Sequence, residues 1–124
     1  MKIHDAILKR DIEMLRGEIA KGNVNSIEPE TGYTALHYCA QEQELEFAKM
    51  LIENGAYLNI KDKFGNTPLS KAVYFSGGKV EMINLLLSSG ANADIENNYG
   101  ISARQLAHQI ASFDVKACFE NETM

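Results

Sequence analysis

The chain of 124 residues has no tryptophan, only two prolines and two cysteines, and no run of 18 apolar residues. Without such a run it lacks a membrane-spanning segment, and charges interrupt the apolar residues of its N-terminus, unlike the apolar core of a secretory signal. Cys39 and Cys118 lie far apart among apolar neighbours, which favours reduced, buried thiols over a disulfide framework. We therefore expect a cytoplasmic protein, not associated with a membrane, that needs no disulfide, cofactor or metal ion.

Positive charge is also scarce. Twelve lysines and arginines stand against 17 acidic residues, which gives a net charge of −5 and a pI near 5.1. Such a molecule repels phosphate backbones, so nucleic acid is not an expected partner. With 45% hydrophobic and 23% charged residues, the composition is typical of one globular domain, which we expect to span residues 1–124.

The chain contains an internal repeat. Thr34–His37 (Thr-Ala-Leu-His) returns as Thr67–Ser70 (Thr-Pro-Leu-Ser) after 33 residues, whereas Asn54-Gly-Ala returns as Ser89-Gly-Ala after 35. The difference places a two-residue insertion between these anchors, in the stretch that contains Gly77 and Gly78. Four units result, at about 1–29, 30–61, 62–96 and 97–124, and such units bury their apolar faces on their neighbours.

Each unit is predicted to contain two helices joined by a turn. Thr34 can cap a short helix that runs to about Gln41, and the residues from Leu45 to Glu53 then show apolar positions at helical spacing. The third unit repeats this order, with Thr67 as the cap, Pro68 at the first helical position and a second helix from Val80 to Ser88. Polar stretches that contain glycine separate the units and predict tight, projecting turns.

Four segments, Thr34–Ala40, Leu51–Asn59, Asp62–Leu69 and Leu85–Asp94, closely resemble the ankyrin repeat. The resemblance covers nearly the whole chain and implies an all-α solenoid of about four helix-turn-helix units with projecting β-turn or hairpin loops and polar caps. It also implies that His4 and His37 bind neighbouring turns. Three polar or small residues depart from the usual apolar pattern and are predicted to face outwards in the two caps: Gly17, Glu18 and Arg104.

Catalysis is not expected from the candidate residues. His108 has no metal-ligand spacing around it. Cys39 and His37 are two positions apart on one helix and point in different directions, so Cys39 is predicted to pack in the core. A cluster of three carboxylates is predicted to form a solvated edge: Glu42, Glu44 and Glu46. We therefore expect a protein that is not an enzyme.

The resemblance implies that turn tips and the exposed ends of first helices contact a partner on one concave face. The corresponding residues are Glu30, Thr31, Tyr33, Gln41 and Glu42 in the second unit, Lys63, Phe64, Asn66, Tyr74 and Phe75 in the third, and Asn98, Tyr99, Ile101 and Gln109 in the fourth. Exposed aromatic residues are common interface anchors. Tyr33, Phe64 and Tyr99 have an equal alternative as stiffeners of the turns, whereas Tyr74 and Phe75 flank the insertion and are favoured as binding residues.

The expected function is that of a protein-binding module for a folded partner. An acidic rim is predicted to attract a basic toxin or enzyme by electrostatic steering, and its members are Glu28, Glu30, Glu42, Glu44 and Glu46. The chain resembles small bacterial immunity proteins, which implies a free-standing inhibitor. The alternative is a regulatory adaptor or scaffold subunit of a larger assembly. A monomer is expected, and pairing of two copies through the exposed aromatic residues is the alternative.

Overall fold

The computed structural model describes residues 2–110 and 112–120, and this part of the chain contains eight α-helices and no strand. The all-α fold predicted from the sequence is therefore confirmed. The helices are α1 (Ile3–Lys9), α2 (Ile12–Ala20), α3 (Ala35–Glu42), α4 (Leu45–Glu53), α5 (Pro68–Tyr74), α6 (Glu81–Ser88), α7 (Ala103–Ile110) and α8 (Phe113–Glu120).

The helices form pairs that stack in two layers. Each odd-numbered helix packs on the even-numbered helix that follows it. The odd-numbered helices contact one another in the order α1, α3, α5, α7, and the helices α4, α6 and α8 contact one another behind them. One continuous core lies between the layers, and its largest fully buried apolar side chains are Ile3, Ile7, Leu15, Leu36, Leu51, Leu69, Met82, Ile83, Leu86 and Phe119.

Side-chain caps fix where the first helices begin. The hydroxyl of Thr34 accepts the backbone N–H of His37, and that of Thr67 accepts the N–H of Ser70, both at 3.3 Å. Each bond satisfies a backbone donor that has no partner inside the helix. Pro68 occupies the first turn of α5, where a missing N–H costs nothing. Both predicted caps are confirmed.

Short turns join the two helices of each unit. A single left-handed residue closes this turn in the first two units: Arg10 (φ 56°) and Gln43 (φ 59°). In the third unit the predicted insertion lengthens the turn, and Gly77 and Gly78 adopt φ values of 58° and 88°. Glycine reaches this region without the steric penalty of a Cβ atom.

Three hairpin turns, at residues 28–33, 62–66 and 97–101, project between the units. A backbone hydrogen bond of 2.9 Å joins the two ends of each turn, donated by Glu28 to Tyr33, by Asp62 to Asn66 and by Asn97 to Ile101. Backbone hydrogen bonds also join adjacent turns to each other. Lys63 N–H donates to the Thr31 carbonyl at 3.0 Å, and Asn98 N–H donates to the Phe64 carbonyl at 2.9 Å. The projecting turns expected from the repeat pattern are thus present.

Two glycines allow these turns to approach so closely. A Cβ atom on Gly32 would lie 2.8 Å from the backbone nitrogen of Lys63, and one on Gly65 would lie 2.8 Å from that of Asn98. Both glycines also adopt positive φ values, 77° and 83°. A side chain at either position would therefore strain the backbone and push the next turn away.

The prediction that Glu18 faces outwards in the N-terminal cap was wrong. Glu18 is buried, and its carboxylate accepts a hydrogen bond from the Asn23 amide at 2.8 Å and pairs with the Lys21 ammonium at 3.2 Å. Hydrogen bonds from Asn23 and Lys21 lower the pKa of Glu18. The polarity of Glu18 suggested exposure. Its partners, Lys21 and Asn23, follow directly after α2 and allow the carboxylate to be buried. Gly17 is exposed, as predicted.

Arg104 in the C-terminal cap is half-buried and makes contacts that were not predicted from the sequence. Its guanidinium pairs with the Asp94 carboxylate at 2.8 and 3.2 Å and donates to the carbonyl of Phe119 at 2.9 Å. This arginine braces α8 against the loop that precedes the fourth unit, and the hydrogen bond lowers the pKa of Asp94. Cys118 likewise differs from expectation, since it is half-buried rather than buried.

Candidate protein-binding face

Following the expectation from the repeat resemblance, we use the name concave face for the surface that the three hairpin turns form with α3, α5 and α7. Between the third and fourth units this face contains an open cleft of about 300 Å³. We call it the aromatic cleft, and its lining residues are Asn66, Ser70, Lys71, Tyr74, Phe75, Asn97, Tyr99, Ile101, Ser102 and Leu106. It brings together five of the residues predicted from the sequence: Asn66, Tyr74, Phe75, Tyr99 and Ile101.

Three of the ten residues that line the aromatic cleft are exposed aromatic residues. Tyr74, Phe75 and Tyr99 are 64%, 40% and 76% exposed. The rings of Tyr74 and Phe75 meet edge to face, with centroids 5.0 Å apart. Exposed aromatic side chains bring a large apolar area to a contact and lose little conformational freedom on binding.

Lys71 is the only charged residue among those that line the cleft. Its ammonium nitrogen lies 4.7 Å from the ring centroid of Tyr33 and 5.2 Å from that of Phe75. These cation–π contacts position the ammonium without neutralising its charge. Within the ranges 2–110 and 112–120, no carboxylate forms an ion pair with Lys71.

The cleft lies between the third and fourth units. This is the one junction between units at which a small residue stands at the repeat position that His4 and His37 occupy in the first two units. His4 donates from Nε2 to the carbonyl of Tyr33, and His37 donates from Nε2 to the carbonyl of Asn66, each at 2.9 Å. The predicted ties between units are confirmed. The third unit has Ser70 at the position that corresponds to His37, 33 residues further along the chain. A serine side chain is too short to reach the next turn, and we interpret the cleft, which Ser70 lines, as including the space that an imidazole would fill.

In the second unit, Tyr33 packs against the histidine that reaches the next turn. The ring of Tyr33 stacks on that of His37, with centroids 5.3 Å apart, and the Tyr33 hydroxyl donates to the Gln41 amide oxygen at 3.2 Å. Burial lowers the pKa of His37, and the bond to the Asn66 carbonyl opposes this shift in part. Tyr33 is therefore half-buried and braces the stack, in agreement with its alternative as a stiffener.

The other predicted binding residues belong to the hairpin turns, α3 and α7, and they do not line the aromatic cleft. Thr31 and Gln41 are half-buried, and the hydroxyl of Thr31 donates to the Glu28 carboxylate at 2.7 Å. The exposed members of the set are Glu30, Glu42, Lys63, Phe64, Asn98 and Gln109. Among these, the Asn98 amide donates to the Lys63 carbonyl at 2.9 Å and so supports the stacking of two turns.

Five residues of the cleft were not predicted from the sequence: Ser70, Lys71, Asn97, Ser102 and Leu106. A signal was present for Lys71, because residues three and four positions apart share one face of a helix and Tyr74 and Phe75 follow at this spacing. Asn97 could not be found in this way, because its contact with the Asn66 amide oxygen, at 3.0 Å, joins two different turns.

Two carboxylates of the predicted acidic rim serve internal contacts. Glu28 accepts hydrogen bonds from the Thr31 and Tyr38 hydroxyls, and both bonds lower its pKa. Glu44 forms an ion pair with Arg10 at 3.0 Å and its side chain is only 18% exposed, so the expectation that it is solvated was wrong. The remaining carboxylates of the rim, on Glu30, Glu42 and Glu46, belong to exposed residues.

Cys39 lies in the core, as predicted, and burial raises the pKa of its thiol. Within the described ranges, no three histidine, cysteine or acidic side chains are grouped so that they could hold a metal ion. Also within these ranges, none of the helices has both the length and the apolar character needed to cross a membrane.

Comparison with known proteins agrees with the repeat pattern. A family model of ankyrin repeats, in three copies, matches residues 3–107. Over 104 residues, the chain is 31% identical to an ankyrin repeat protein of Rickettsia felis, a match that covers 79% of this chain and 46% of the relative. It is 28% identical to an ankyrin repeat protein of Monkeypox virus, over 87% of this chain and 19% of the viral one.

A third relative, from Saccharomyces cerevisiae, bears the name "Probable 26S proteasome regulatory subunit p28". It is 42% identical over 62 residues, which make up 50% of this chain and 26% of the yeast protein. The chain therefore spans less than half the length of each of these three relatives. Since the family model covers most of the sequence and the structure contains stacked helix pairs with projecting turns, the chain belongs to the ankyrin repeat family.

Proposed function

We propose that this chain is a non-enzymatic module that binds a folded protein partner through its concave face, with the aromatic cleft at the centre of the contact. Ankyrin repeats are in general protein-interaction modules. The observation that carries the proposal is the grouping of three exposed aromatic side chains, Tyr74, Phe75 and Tyr99, around one cleft. Burial of such rings is a common source of binding energy in protein interfaces.

In its narrower form the proposal is that the chain inhibits its partner, as an immunity protein neutralises a cognate toxin. The net charge of −5 and the exposed carboxylates of Glu30 and Glu42 favour a basic partner. If steering operates, the association rate falls as salt is raised, because the ions screen the attraction. An association rate that does not change with salt would contradict this form.

The second candidate is a regulatory adaptor or scaffold subunit of a larger assembly. The similarity to a yeast protein named as a proteasome regulatory subunit favours it. The two candidates differ in kinetics: an inhibitor should dissociate slowly from one partner, and an adaptor should exchange among several partners of modest affinity.

We further propose that the chain acts as a monomer in the cytoplasm, with neither nucleic acid nor a membrane as its partner. The thiols of Cys39 and Cys118, both free, agree with a reducing compartment. Sedimentation equilibrium tests the monomer, and a dimer lost in the Tyr74→Ala, Phe75→Ala variant would favour pairing through the cleft.

Affinity purification from the native host, read by mass spectrometry, tests the main proposal. The intact chain is compared with a Tyr74→Ala, Phe75→Ala double variant and with Tyr57→Ala as the control. Tyr57 is a matched control because it is 65% exposed, close to the 64% of Tyr74, but does not line the aromatic cleft. All three proteins are first shown to melt cooperatively by circular dichroism.

The expected result is a partner that the intact chain and Tyr57→Ala retain and the double variant loses. Equal recovery by all three proteins would place the binding site elsewhere on the molecule. Loss in the Tyr57 variant alone would move the site to the loop after α4.

A further inference from the structure

We infer that the aromatic cleft receives a segment of the partner in which an aspartate or glutamate side chain neighbours a large apolar side chain, with the Lys71 ammonium as the counter-charge. This inference rests on the proposed function, because it names the chemistry of the partner at the same cleft. It concerns the cleft alone and not the exposed carboxylates elsewhere on the face.

The positive charge of Lys71 in the cleft favours an acidic side chain in the partner. Lys71 lies against the rings of Tyr33 and Phe75, and no ion pair neutralises it within the described part of the chain. The acidic residue nearest to it in the sequence, Asp62, is buried. One oxygen of Asp62 accepts the backbone N–H groups of Phe64 and Asn66, both at 2.9 Å. An entering carboxylate would therefore gain a partner, and an entering cation would meet a like charge.

The surroundings of the ammonium strengthen this preference. Rings shield Lys71 on two sides, and charge–charge attraction grows where apolar groups replace water. The remaining polar side-chain groups of the lining are uncharged: the amides of Asn66 and Asn97 and the hydroxyls of Ser70, Tyr74, Tyr99 and Ser102. They can donate to a carboxylate oxygen but cannot replace a counter-ion.

The volume and the apolar walls of the cleft favour a large apolar side chain next to the acidic one. A volume of about 300 Å³ lies at the lower end of the range for ligand pockets, which is enough for one or two side chains and not for a packed helix. The side chains of Tyr74, Phe75, Tyr99, Ile101 and Leu106 supply an apolar wall beside the single charge. The matching occupant is an apolar side chain with a carboxylate next to it, presented by a loop of the partner.

Selection from a random-peptide display library on the full chain tests the inference. We expect the wild-type protein to enrich peptides that carry aspartate or glutamate beside a large apolar residue. A Lys71→Glu variant should reverse the charge preference and enrich lysine or arginine at that position. Tyr57→Ala, outside the cleft, should select the same peptides as the wild type.

The leading peptide then gives a quantitative test by titration calorimetry. Its affinity should fall about tenfold when its acidic residue is changed to the amide, because a hydrogen bond to a charged group is lost. A Lys71→Met variant should show the same loss, and Lys71→Arg should keep the affinity within a few-fold. Thermal melts of each variant separate a change in the site from a failure to fold.

Enrichment of basic peptides, of peptides without a charge preference, or of no peptides at all on the wild-type chain would overturn the inference. An unchanged preference in a folded Lys71→Glu variant would do so too. The host purification distinguishes this failure from that of the proposed function. A partner kept by Lys71→Met but lost by the Tyr74→Ala, Phe75→Ala variant would leave the proposed function intact and remove only the role of Lys71.

Discussion

The replacement Ser70→His should stabilise the fold and abolish binding at the aromatic cleft. Ser70 occupies the position at which His4 and His37 reach the next turn. Thr67 stands before it as Thr34 stands before His37, so the hydroxyl that contacts the imidazole Nδ1 in the second unit has a counterpart in the third. The introduced imidazole should therefore find a partner at each nitrogen, with the Ile101 carbonyl as the acceptor at Nε2.

The expected gain in the free energy of unfolding follows from the hydrogen bond that His37 makes. Its Nε2–H donates to a carbonyl at 2.9 Å, and such a bond contributes about 1 kcal/mol net to the free energy of unfolding. For a chain of this size, about 1 kcal/mol corresponds to a rise in melting temperature of about 4 °C. Because the imidazole occupies the floor of the cleft, the same change should prevent an apolar side chain from entering.

The assay combines thermal melts by circular dichroism with the host purification described above, and Ser70→Ala serves as the control. The alanine variant keeps the cleft open and should retain the partner, with a melting temperature close to that of the wild type. A Ser70→His variant that melts lower than the wild type, or that melts higher and still binds the partner, would refute the reasoning that a missing histidine creates the site.

Three further predictions concern stability. Gly65→Ala should lower the free energy of unfolding by about 2 to 4 kcal/mol, and Gly100→Ala should lower it by only about 1 kcal/mol, as measured by urea denaturation. Both glycines have a positive φ, but only a Cβ atom at position 65 would clash with Asn98. Equal losses in the two variants would contradict this reasoning. Leu86→Ala should cost about 2 to 5 kcal/mol in the same assay, since Leu86 is fully buried, and a smaller loss would mean that the core collapses around the gap. Burial lowers the pKa of His37 in the folded state below its unfolded value of about 6.5. Its contribution to the free energy of unfolding is therefore complete above that pH and is lost as the pH falls from there through the lower, folded-state pKa. Melts at pH 7.5 and 5.5 should differ less in His37→Gln than in the wild type.

The sequence was sufficient to predict the stack because its determinants are local. The repeat period, the capping residues Thr34 and Thr67 and the apolar spacing from Leu45 to Glu53 each act within one or two helical turns, and the structure confirms them. Helices of this kind are specified by neighbours in the chain, so their positions follow from the pattern alone.

The structure departs from the predictions where polar side chains find partners that the sequence pattern did not indicate. Glu18 is buried beside Asn23 and Lys21, and the half-buried Arg104 pairs with Asp94 and the Phe119 carbonyl. The aromatic cleft was only partly predicted because it forms between two units that are separated in the chain. Tyr74 and Phe75 follow from the insertion beside them, whereas the role of Ser70 appears only when its position is compared with that of His37 and the next turn is in place.

The ties between units have a consequence for how the surface can diversify. His4 and His37 donate to main-chain carbonyls, those of Tyr33 and Asn66, and every amino acid carries such a carbonyl. Mutation at positions 33 and 66 can therefore alter the recognition surface without removing the hydrogen bond that joins the units. The bond between units thus persists whatever side chain stands at these two positions, and a substitution there loses only the contacts of the side chain itself, such as the stacking of Tyr33 on His37.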